Sequence, residues 1–137
     1  MADTAAVASE KPIDVVLVED NDVFRATLEL LLDVTPDVRV VASVPNGEAA
    51  LDVCPRVEPD VVLVDYRLPG LDGVETTAAI RSVCPQASVV VLTATAETGE
   101  IAALLDAGAV ACLTKDRELD DIVSAIRQAA GRSAPDG

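Results

Sequence analysis

The stretch PDVVLVDYRLPGLDG, residues 59–73, decides the fold. Val61 to Val64 form a continuous apolar run, the mark of a strand covered on both faces in a parallel sheet. The run meets Asp65 and then a loop holding Pro69, Gly70, Asp72 and Gly73. A carboxylate at the tip of the most hydrophobic strand needs a reason beyond packing, because an unpaired buried charge is costly. Asp72 and Glu75 fit a capping box, so a helix begins where the stretch ends.

Working outward, five apolar runs alternate with five helical patterns. The runs are IDVVLV (13–18), VRVVAS (38–43), DVVLV (60–64), SVVVLT (88–93) and AVACLT (109–114). Between them Phe24, Leu28, Leu31 and Leu32 recur at helical spacing, as do Leu119, Ile122, Val123 and Ile126. Gly108 marks a helix end, and Pro55 and Pro85 stand where helices are expected to stop. The segments VCPRVEPDVVLVD and VCPQASVVVLTA echo each other, two uses of one helix-to-strand solution rather than a solenoid repeat. The pattern predicts an α/β fold: a (βα)5 doubly wound, five-stranded parallel sheet with right-handed crossovers. Residues 13–131 make one domain, with flexible tails expected at 1–12 and 132–137, the latter RSAPDG being a linker start or a terminus.

Composition narrows the function. In 137 residues, half are hydrophobic, yet Phe24 and Tyr66 are the only aromatics, so the core is aliphatic. A net charge of −14 disfavours DNA and anionic membranes as partners and suits basic protein patches, although solubility alone would also explain it. There is no apolar run of about 18 residues and no secretory leader pattern. Cys54, Cys84 and Cys112 are odd in number and widely spaced, which reads as small buried hydrophobes in a reducing cytoplasm. Histidine is absent, removing the commonest general base and transition-metal ligand.

In such a sheet, ligands bind beyond the carboxyl ends of the strands. Glu19 and Asp20 follow the first run, Asp65 the third, Thr93 ends the fourth and Lys115 follows the fifth. Each has a plainer use: acids at a helix start, a β-forming threonine, a solvated lysine. Together at successive strand tips, they describe one site. Crowded carboxylates call for a hard divalent cation, Mg²⁺ or Mn²⁺. With an ammonium and a hydroxyl beside them they suit a phosphoryl group, and Asp65 can accept one as an acyl phosphate.

The motifs VLVEDN, VLVDYRLPGLDG, VVVLTAT and GAVACLTKD resemble the receiver domain of two-component response regulators, over residues 13 to about 130. Within that family the flavour is that of receivers preceding a helix-turn-helix domain, NarL/FixJ-type transcription regulators. The resemblance implies a flavodoxin-like, CheY-like sheet with strand order 2-1-3-4-5. It implies Asp65 as phosphoacceptor for a sensor histidine kinase, with Mg²⁺ held by Asp20, Asp65 and the backbone carbonyl of Arg67, and by Glu19 through water. Thr93 would be the switch hydroxyl and Lys115 the ion-pair partner of the phosphoryl group. Ala94 would leave room for the donor, and Arg67 and Thr95 would flank the phosphoryl site and tune its lifetime. Kinase specificity would lie on the first helix, around Asp22 to Asp33. A homodimer or effector contact would use the face of the fourth helix, fifth strand and fifth helix, with no nucleic acid or membrane bound by the domain itself.

Two positions depart from that pattern. Cys112 stands where the family carries the aromatic that turns inward on phosphorylation, and Asp116 replaces a common proline. Cys112 keeps open a rival, a phosphorylation-independent pseudo-receiver acting as a protein-binding module. A phosphatase with an aspartyl-phosphate intermediate is disfavoured, because Arg67 occupies the place of its second aspartate. The chain is thus expected to be a signalling domain that catalyses only its own phosphorylation and slow dephosphorylation.

Overall fold

The computed structural model describes residues 11–94 and 97–131. Strands and helices alternate throughout: β1 (Ile13–Val18), α1 (Asp22–Asp33), β2 (Val38–Val44), α2 (Gly47–Val57), β3 (Val61–Asp65), α3 (Gly73–Val83), β4 (Ser88–Thr93), α4 (Thr98–Ala107), β5 (Ala109–Thr114) and α5 (Leu119–Ala129). The strands pair in parallel in the order β2-β1-β3-β4-β5. This is the predicted sheet and the predicted order. The tails expected at 1–12 and 132–137 lie almost wholly outside the described residues, as does Thr95.

The two-sided burial of the strands follows from the period of two along each one. Val15, Leu17, Leu63, Val90 and Leu92 pack with Leu28 and Leu32 of α1 and Ile122, Val123 and Ile126 of α5. Their neighbours Val16, Val18, Val62, Val64, Val89 and Val91 pack on the other face with Ala50, Cys54, Ile80, Cys84 and Leu104 of α2, α3 and α4. Every residue of β3 is buried, as a central strand covered on both faces requires. The strand runs one residue later than the apolar pattern alone suggests, so Asp65 is its last member.

Both edge strands carry an irregularity. Val15 pairs with Val40 but Val16 with Ala42, and Val89 pairs with Ala109 but Val90 with Ala111. Val41 and Val110 are therefore extra residues, bulged out of β2 and β5, and Val110 is left exposed. Such bulges twist an edge and discourage pairing with another sheet.

Pro55 does not stop its helix. α2 continues to Val57, and Glu58 ends it in a left-handed conformation with its N–H on the Cys54 carbonyl. A proline in the last turn forfeits only the bond to Leu51, so ending the helix there gains little. At Pro85 the expectation holds, since α3 ends at Val83 and is capped at Cys84.

Candidate functional site

The loop in the opening stretch is shaped by its glycines and its cap. Gly70 has a φ of +76°, in the left-handed region. Asp72 accepts the Glu75 N–H while Glu75 accepts the Asp72 N–H, the reciprocal pair of a capping box. Gly73 is buried with its N–H on the Tyr66 carbonyl at 2.8 Å, and α3 thereby starts directly against the backbone that follows Asp65.

Ladder bonds hold the neighbouring tips at the same level. The Glu19 N–H reaches the Val44 carbonyl at 3.0 Å, Tyr66 the Leu92 carbonyl at 2.8 Å, and Lys115 the Thr93 carbonyl at 2.8 Å. One carboxylate oxygen from each of Glu19, Asp20 and Asp65 lies within 4.8 Å of the others. Glu19 and Asp65 are buried while Asp20 faces solvent, so the cluster has one open side. The Lys115 ammonium sits between the buried two, 3.0 Å from Glu19 Oε1 and 3.1 Å from Asp65 Oδ1.

Electrostatics expose an imbalance. Burial raises the pKa of Glu19, and the charge of Asp65 adds to it, against the opposing Asn21 N–H and Lys115. For Lys115 burial works the other way, but its contacts with Glu19 and Asp65 outweigh it and hold the ammonium charged. One ammonium thus faces three carboxylates, leaving the cluster short of positive charge. Oxygen ligands in that number, without His or Cys, fit a hard divalent cation.

Of the other expected residues that are described, Thr93, Ala94 and Arg67 lie at or just beyond strand tips, while Cys112 lies two residues in from the end of β5. Thr93 is buried at the tip of β4, and Ala94 beside it is exposed. The Arg67 N–H approaches Asp65 Oδ1 at 3.3 Å, while its side chain faces solvent. Cys112 is half-buried against the core shared by α2, α3 and α4, and burial, with a smaller contribution from Glu100, pushes its thiol pKa up.

Three further residues at the start of the first helix, none of them expected at the site, contact it as well. The Asn21 N–H donates to Glu19 Oε2 at 3.0 Å, and its side chain caps α1 by accepting the Phe24 N–H at 2.9 Å. Arg25 Nη1 holds the Glu19 carbonyl at 2.6 Å while Nη2 holds Asp22 at 2.8 Å. The Phe24 ring lies under the Lys115 ammonium, 4.8 Å from centroid to nitrogen. An Asn before a helical pattern is a capping signal, but nothing in the spacing links Phe24 to Lys115.

Known proteins resemble this chain in sequence and in fold. The LnrK transcriptional regulatory protein of Bacillus subtilis is 37% identical over 114 residues, covering 83% of this chain and 52% of that protein. The nitrate/nitrite regulator NarP of Escherichia coli is 34% identical over 119 residues, covering 87% of this chain and 55% of its own length. The chain thus spans about half the length of such curated relatives. The signal receiver domain of the putative response regulator NarL from Mycobacterium tuberculosis superposes with a TM-score of 0.84 at 34% identity, over 88% of this chain and 98% of that one. The receiver domain of the sensor histidine kinase PA1611 from Pseudomonas aeruginosa, solved with a magnesium ion coordinated in its active-site cleft, superposes at 0.77 with 30% identity, over 88% of this chain and 98% of that one. Residues 15–127 match the response regulator receiver domain, and the chain belongs to that family of two-component signalling domains.

Proposed function

We propose that residues 13–131 form a receiver unit in which Asp65 accepts a phosphoryl group from the phosphohistidine of a sensor histidine kinase, in a reaction requiring Mg²⁺. The observation that carries this reading is the Lys115 ammonium bridging two buried carboxylates beside the exposed Asp20. An Asp65 oxygen attacks phosphorus, the O–P bond forms as the donor's N–P bond breaks, and the imidazole departs with that electron pair and takes up a proton. Asp20, Asp65 and the Arg67 carbonyl would hold the cation, with Glu19 acting through water. When bound, the cation supplies the positive charge that lets an anionic donor approach an anionic acceptor.

Lys115 then pairs with the phosphoryl oxygens and Thr93 supplies a hydroxyl to them. Ala94 leaves the approach open, and Arg67 and Thr95 flank it. Movement at Thr93 is passed to the face of α4, β5 and α5, the contact for a second copy or an effector. The domain works in the cytoplasm and controls an output or a partner. It turns over no other substrate.

Cys112 favours a second reading, a module that binds its partner without phosphate, since no aromatic is present there to turn inward. Intact mass after incubation with acetyl phosphate and Mg²⁺ separates the two. A single adduct on the wild type and none on Asp65→Asn is expected. An unmodified wild type that still binds Mg²⁺ would favour the phosphate-independent module.

A further inference from the structure

Four residues close a ring of contacts around the site. Glu19 uses both carboxylate oxygens: Oε2 accepts the Asn21 N–H at 3.0 Å, and Oε1 accepts from Lys115 Nζ at 3.0 Å. Asn21 Oδ1 accepts the Phe24 N–H at 2.9 Å, which fixes Phe24 in the first turn of α1. The Phe24 ring, 4.8 Å below the Lys115 ammonium, completes the ring. We propose that Phe24 is a positioning residue for phosphoryl transfer, holding the Lys115 ammonium over the acceptor by a cation–π contact. This rests on the reading of Asp65 as acceptor.

The reasoning turns on what competes for Lys115. A lysine is a flexible four-carbon stem with a strongly hydrated charge, and this one keeps 27% of its side chain exposed. Its two ionic partners, Glu19 and Asp65, are among the oxygens a divalent cation would draw on. When a cation takes their charge, the ammonium loses part of its hold and solvent is the alternative. An aromatic face attracts the ammonium through its quadrupole and offers no oxygen, so it cannot be recruited by the cation. Phe24 therefore supplies a contact to the Lys115 ammonium that loading the site leaves unchanged. A Phe serving only the core would need no such placement, and Phe24 is only partly buried at the margin of the core between the sheet and α1.

The test is a double-mutant cycle on the rate of adduct formation with acetyl phosphate and Mg²⁺, followed by intact mass. Phe24→Leu keeps an apolar side chain and removes the ring, and is expected to slow labelling roughly three- to ten-fold, within the range of a partly exposed cation–π contact. Phe24→Tyr should restore most of the rate. On a Lys115→Met background, Phe24→Leu should cost nothing further. Equal slowing with and without Lys115 would overturn the proposal, since a purely structural ring has that signature. In the wild type, NMR should find the Lys115 ε-methylene protons shifted upfield by the ring, and the shift should vanish in Phe24→Leu. An absent shift overturns the contact itself, whereas a normal shift in a protein that takes no phosphoryl group overturns the acceptor reading.

Discussion

At the scale of single residues, the site is a competition for charge. Lys115 occupies Glu19 Oε1 and Asp65 Oδ1, oxygens that a divalent cation would also seek. Replacing Lys115 with Met removes a positive charge beside the cluster and leaves three carboxylates unopposed by an ammonium. Mg²⁺ affinity should rise, by about ten-fold or ~1.4 kcal/mol, a fraction of the Coulomb energy at such distances because Asp20 keeps the cluster wet. Tyr66 is the only tyrosine in a chain without tryptophan and follows Asp65 directly, so its fluorescence during a Mg²⁺ titration reports on the site. An unchanged or weaker affinity would mean that Lys115 does not compete with the cation. The placement of Glu19, Asp20, Asp65, Thr93 and Lys115 at the ends of strands was legible in the sequence, because a strand tip is a position that periodicity can locate. Phe24 was not legible as a site residue, because its partner comes from the other end of the chain and its spacing is already explained by the core.

At the scale of elements, the same local rules place the helices, and space decides where they yield. Gly73 and Gly99 both lie in first turns, of α3 and α4. Alanine is the better helix former by about 1 kcal/mol, so propensity alone predicts that both Gly→Ala changes stabilise. A Cβ on Gly99 would meet nothing within 4 Å, and Gly99→Ala should raise stability by roughly 0.5–1 kcal/mol. On Gly73 it would lie 2.7 Å from the Tyr66 Cα and 2.9 Å from the Tyr66 carbonyl oxygen, backbone atoms that can yield only by moving the loop after Asp65. Gly73→Ala should therefore destabilise, by about 1–3 kcal/mol, the usual cost of overpacking. Urea unfolding of the two variants checks this, and equal signs would refute the steric account. The element pattern was readable from the sequence almost throughout, with Pro55 the instructive failure. Proline stops a helix through the bonds it forfeits, and in a final turn there is little left to forfeit. The bulges at Val41 and Val110 were unreadable, because an extra residue in an edge strand keeps the apolar run intact.

At the scale of the molecule, two aliphatic cores sandwich one sheet, and the core under α2, α3 and α4 holds titratable groups that contribute nothing to the proposed site. Cys54 is fully buried there, and the Cys84 thiol lies 3.6 Å from its carbonyl oxygen. Burial, with a smaller contribution from Cys84, pushes the Cys54 thiol up to about 11 from an ordinary 9.0. In the unfolded chain the thiol ionises first, so between these values the folded state binds more protons and stability falls as pH rises. The contribution is whole below pH 9.0, is lost progressively towards about 11, and changes no further above it. Two pKa units correspond to about 2–3 kcal/mol. Many groups titrate in that range and the repulsion implied by a net charge of −14 grows with pH, so the wild-type curve alone cannot isolate one thiol. Comparison with Cys54→Ala isolates it. The variant starts less stable by the cost of a small cavity, which does not depend on pH, and should converge on the wild type as pH rises from 9 to 11. If unfolding free energies of the two proteins stay parallel across that window, the thiol of Cys54 is not held protonated by the core. Convergence would instead show that this half of the sandwich stays dry enough to suppress ionisation, which is the rigidity that β3 needs to keep Asp65 in place.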